Sequence, residues 1–101
     1  MALMIYVDEA MIREFCRRRR IRWLALFGSV LRDDFRPDSD VDVLVEFEPG
    51  ETPSFFGLAD IEEELSQLMG GRKLDLVTPK FLNRWMRDRV LAEAKVLYAE
   101  G

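Results

Sequence analysis

The chain has 101 residues, 49% of them hydrophobic and 34% charged, with a net charge of −4. That length fits one domain spanning residues 1–101, and a domain so small leaves much of its surface in water, so a bound partner or self-association into a homo-oligomer is expected. The acidic balance argues against direct binding of DNA or RNA as the main role. The single cysteine, Cys16, excludes an internal disulfide and suits a reducing cytoplasm. No run approaches the roughly 20 apolar residues that span a bilayer. With no histidine in the chain, Cys/His zinc sites and a histidine base are excluded, and chemistry falls to carboxylates, hydroxyls, Lys and Arg.

In chain order, Asp8 reads as an N-cap, and Met11, Ile12 and Phe15 share one face of a helix predicted over Asp8–Arg19. Arg17, Arg18, Arg19 and Arg20 crowd its last turn, where cations suit the negative end of the helix dipole. The run reads either as a solvated helix end or as a surface for phosphate or an acidic partner. Ile21–Phe27 reads as a strand ended by Gly28-Ser29, followed by a short helical turn over Ser29–Asp33 and a turn-rich loop at Arg36, Pro37, Asp38 and Ser39. Asp40–Phe47 alternates: Val41, Val43, Val45 and Phe47 point one way, Asp40, Asp42, Leu44 and Glu46 the other.

Pro53 opens a helix to Met69 whose apolar stripe includes Phe56, Ile61, Leu65 and Leu68, and Gly70-Gly71 stops it. Lys73–Thr78 reads as a third strand. Pro79 opens a last amphipathic helix predicted to run to Tyr98, with Trp85 and Met86 expected in the core, a surface for a partner being the alternative. The order is that of an α/β (α+β) domain, a small mixed sheet of about three strands flanked by helices.

Asp40 and Asp42, two apart on a strand, project from one face. Asp75 interrupts a short apolar strand. Like charges held together repel, and a fold keeps such a cluster when a cation neutralises it. Oxygen donors without His or Cys favour Mg²⁺, and two ions bridged by shared carboxylates suit phosphoryl-type transfer. Gly28 at a strand end lets a phosphate approach the backbone, and Ser29 adds a hydroxyl at a helix N-terminus. Gly-Ser, ten residues, then Asp-x-Asp arises by chance in roughly one chain in a thousand of this length.

The segment GSVLRDDFRPDSDVDVLVEF resembles the signature of the DNA polymerase β-like nucleotidyltransferases. The nearer likeness is to the minimal nucleotidyltransferase (MNT) family, in the loop PDSDVD (Pro37–Asp42), the strand KLDLVT (Lys73–Thr78) and the pattern of Arg89, Glu93, Ala94 and Tyr98. The resemblance implies the polymerase β-like fold, with Gly28 and Ser29 on the triphosphate of ATP and with Asp40, Asp42 and Asp75 as catalytic carboxylates holding Mg²⁺. Asp75 would also help to deprotonate the acceptor. Arg32 matches an arginine that the family often has. It would face phosphate or support the carboxylates, and a salt bridge to Asp33, Asp34 or Asp38 is the alternative. Asp33-Asp34 stands where family members often have glycine, adding negative charge near a triphosphate.

The resemblance further implies an antitoxin that transfers AMP from ATP to a tyrosine of a HEPN-domain ribonuclease toxin. The alternatives are an antitoxin acting by contact alone and an enzyme that modifies a small molecule.

Overall fold

The computed structural model describes residues 7–28, 40–78 and 84–100. Seven elements follow one another: α1 (Glu9–Arg18), β1 (Ile21–Phe27), β2 (Val41–Phe47), α2 (Phe55–Leu68), β3 (Leu74–Val77), α3 (Arg84–Glu93) and β4 (Lys95–Ala99). Asp8 caps α1 as its spacing predicts, its Oδ1 accepting from the amides of Ala10 at 3.1 Å and Met11 at 3.2 Å. Ser54 caps α2 by accepting from the Gly57 amide at 3.3 Å.

The strands form one mixed sheet in the order β3-β2-β1-β4. β1 pairs antiparallel with β2 and with β4, whereas β2 and β3 run parallel, joined by α2 as a crossover. One face carries Ile21, Leu24 and Leu26 of β1 and Val41, Val43, Val45 and Phe47 of β2. Ile12, Phe15 and Cys16 of α1 and Ile61 and Leu65 of α2 close over it. The predicted alternation of β2 is therefore the pattern that builds the core.

α1 and α2 are also tied through charge. Glu64 accepts from Arg19 Nε at 3.0 Å and Nη2 at 2.6 Å on one oxygen and from Arg18 on the other. The Arg18 hydrogen bond is the main reason that its carboxyl sits below the ordinary glutamate range. Burial alone pushes the Cys16 thiol up to about 12, so it stays neutral in the core.

Three expectations are corrected. The last helix does not reach Tyr98: α3 ends at Glu93, and Lys95–Ala99 makes a fourth strand. Val96, Leu97 and Tyr98 suit a pleated strand, Leu97 reaches the core, and the pairing satisfies the backbone along the outer edge of β1. Phe56 does not join the stripe of α2 and is 79% exposed. It lies five residues, about 140° around the helix, from Ile61. Trp85 and Met86 are 89% and 50% exposed rather than core residues. Among the described residues, no helix is long and apolar enough to cross a membrane. The predicted turn over 29–33 and the loop at 36–39 lie outside the described residues.

Candidate functional site

The site grows from three neighbouring strand ends. β1 finishes at Phe27, which pairs with Asp42 near the start of β2, and Asp42 in turn pairs with Asp75 in β3. Residues paired in register share a face, so the two carboxylates stand side by side on adjacent strands whose axes are about 4.8 Å apart. Their face is the one turned away from the core: their neighbours Val41, Val43 and Leu74 point inward and are fully or almost fully buried. Asp75 is exposed and Asp42 half-buried. The parallel pairing is held from its first residue by the Val41 amide, which donates to the Lys73 carbonyl at 2.9 Å.

Gly28 follows β1 with φ +78°, the left-handed region that favours glycine. A Cβ built there would overlap Asp42 Oδ2 and lie 3.2 Å from its Cγ. The glycine thus serves two needs, the reversal of the backbone and the close approach of the Asp42 carboxylate. Gly28 and Asp42, fourteen residues apart in the chain (28 to 42), meet at this point.

Asp40 sits one residue before β2 and is exposed, at the same end as Asp42. Among the described residues, no three carboxylates converge as a ready-made metal cage. Mg²⁺ does not require one, since it is commonly held by one or two carboxylates together with substrate phosphates and water. The adjacent Asp42 and Asp75, backed by a glycine that leaves room for the first of them, fit that manner of binding. Ser29 and Arg32 lie outside the described residues. Lys95, read from sequence as part of a helix, opens β4 opposite Leu26 and so arrives at this same end of the sheet. The signal for it lay in the β-forming residues Val96, Leu97 and Tyr98 that follow.

Residues 9–98 match the family model described as a nucleotidyltransferase domain. The chain is 40% identical over 81 residues to the protein adenylyltransferase MntA of Thermococcus cleftensis, which covers 80% of this chain and 79% of that protein. A solved minimal nucleotidyltransferase shares 36% identity and superposes with a TM-score of 0.68 over 85% of each chain. At the level of fold alone, a toxin–antitoxin structure with AMP-PNP gives a TM-score of 0.70 at 20% identity, over 92% of this chain and 74% of that one. A complex of a tri-AMPylated Shewanella oneidensis HEPN toxin with its MNT antitoxin gives 0.62 at 19% identity, over 90% and 69%. With a family match that spans nearly all of its length and a sheet of the same architecture, the chain belongs to the nucleotidyltransferase domain family.

Proposed function

We propose that residues 1–101 act as a single minimal nucleotidyltransferase domain, an antitoxin that transfers AMP from ATP to a tyrosine hydroxyl of a cognate HEPN-domain toxin in the cytoplasm. The observation that carries this reading is the register of Asp42 with Asp75 beside Gly28. The relative named a protein adenylyltransferase supports the protein acceptor. The neighbours whose structures hold AMP-PNP or an AMPylated HEPN toxin support ATP and the toxin.

In this reading Asp40, Asp42 and Asp75 would hold Mg²⁺, two ions being expected, and the metal would supply positive charge to offset the triphosphate and the departing pyrophosphate. Gly28 and Ser29 admit the triphosphate to the end of β1, with Arg32 as a further phosphate contact. The tyrosine oxygen attacks the α-phosphorus, and the bond from that phosphorus to the oxygen bridging to the β-phosphate breaks. Pyrophosphate leaves, and the tyrosine proton passes to the Asp75 carboxylate. Asp42 would face the metal rather than the anionic triphosphate, and Gly28 keeps the approach clear.

The test incubates the chain with α-³²P-ATP, Mg²⁺ and the HEPN protein encoded beside it. Label on the toxin that is lost with Asp42→Asn supports transfer. A stable complex without label overturns it and leaves neutralisation by contact, a reading favoured by the exposed Trp85, Met86 and Leu91 of α3.

A further inference from the structure

The four arginines that end α1 divide into two pairs. Arg18 and Arg19 turn toward α2 and share Glu64. Arg17 and Arg20 turn elsewhere and, with Arg13 one helical turn earlier, line a concavity of about 520 Å³ whose wall also carries Glu48, Tyr98 and Glu100. Among the described residues, no ion pair joins Arg13, Arg17 or Arg20 to a carboxylate. The concavity lies beside Ile21, at the start of β1. Gly28 and Asp42 mark that strand's other end, about 20 Å away at 3.3 Å per residue.

Arg13 and Arg17 are like charges at i and i+4, a spacing that destabilises a helix unless something neutralises them. Arg20 has φ +60°, the only positive φ among the described residues other than glycine. It stands just past the C-cap Arg19, where chains commonly place glycine because a β-carbon is disfavoured there. The chain thus keeps an arginine at a position whose backbone suits glycine better, and that arginine lines the same concavity as Arg13 and Arg17. Three planar guanidinium forks match phosphate oxygens. Glu48 and Glu100 lower the wall's formal charge from +3 to +1, so a monoanion gains little there. A polyvalent anion that reaches all three arginines gains most. The volume falls in the range of small-molecule sites.

We propose that Arg13, Arg17 and Arg20 form a second anion site, remote from the carboxylates, that takes a small polyphosphate, the group shared by inorganic pyrophosphate and a nucleoside triphosphate. The full chain, in EDTA-containing buffer so that metal-dependent binding at Asp42 and Asp75 is silent, is titrated with pyrophosphate and separately with ATP. The readout is the amide shifts of Arg20, Tyr98 and Glu100 by NMR. The expected result is saturable shifts in wild type and in Asp42→Asn, weakened about tenfold or more in Arg20→Gly and in the double variant Arg13→Ala/Arg17→Ala. Arg20→Gly is expected to melt no lower than wild type because it relieves the left-handed backbone, so its loss of binding would not reflect unfolding. Tighter binding of ATP than of pyrophosphate would identify a nucleotide as ligand, and equal binding the phosphates alone. Undiminished binding in Arg20→Gly, loss of binding in Asp42→Asn, or no shift with either anion would each overturn the site.

Discussion

The face of the sheet beneath α1 and α2 and the face turned away from them share the same strands and differ in kind. On β2, Val41, Val43, Val45 and Phe47 fill the first, while Asp42 and Glu46 occupy the second. There Asp42 meets Asp75, and Glu46 meets Arg22 across the strand at 3.5 Å. The second face is not wholly polar, since Ala25 and Leu44 are fully buried on it. Its two adjacent carboxylates, Asp42 and Asp75, sit where β1 stops and β2 and β3 begin, while Glu46 lies toward the other end of β2 beside Arg22. A period of two along one strand separates the residues that hold the fold from those that carry charge, so substitutions on the two faces should have separable effects.

The largest expected effect is on chemistry alone. Asp42→Asn should lower transfer to the partner about 10³-fold, the equivalent of about 4 kcal/mol. Its melting temperature should change by only a few degrees, because asparagine keeps the size and shape of this half-buried side chain. A drop of many degrees would show that the two faces are not independent. On the other face, Leu65→Ala removes a fully buried side chain and should lower unfolding free energy by about 3 kcal/mol in urea. The transfer rate per folded molecule should be unchanged.

Binding of Mg²⁺ sharpens the contrast without any turnover. At about 100 times its dissociation constant, a ligand of the native state adds about 2.7 kcal/mol. Calorimetric melting should therefore rise with Mg²⁺ in wild type and in Leu65→Ala, and not in Asp42→Asn. Gly28→Ala should cost about 1–2 kcal/mol from its positive φ and also slow transfer, since its methyl displaces the Asp42 carboxylate. An alanine variant with undiminished transfer would break the link between turn and site.

The smallest effect belongs to Glu64. Its folded-state carboxyl is held below the ordinary range by Arg18 and Arg19. The stability it adds is present above its unfolded pKa, near 4.3, and is lost as pH falls through the lower folded value. Urea midpoints of wild type and Glu64→Gln should therefore converge on acidification and separate above about pH 5.

Much of this architecture is legible locally. α1, β1, β2, α2 and β3 follow from capping residues, a period of 3.6 or 2, and glycine stops. The inward and outward alternation of Val41 to Phe47 follows from their spacing, whereas Asp40, expected on the strand, lies one residue before it. β4 was hidden because Val90, Leu91, Ala94 and Leu97 continue a helical period past Glu93, and only the open edge of β1 decides otherwise. Phe56 and Trp85 are exposed although apolar, because hydrophobicity does not say which side of a helix meets the core. The pairing of Asp42 with Asp75 was not readable either, since register between strands separated by a crossover is set by packing at long range.

That crossover bears on when the chain becomes competent. Asp42 and Asp75 are thirty-three residues apart (42 to 75), and they become neighbours only once α2 has docked and β3 has aligned beside β2. Closing so long a segment carries an entropic cost that local helix formation does not share, and parallel pairing is slow for that reason. The pairing of the two carboxylates therefore depends on the longest-range step in the sheet, the docking of α2 and the alignment of β3, and not on any contact that α1, β1 and β2 make among themselves.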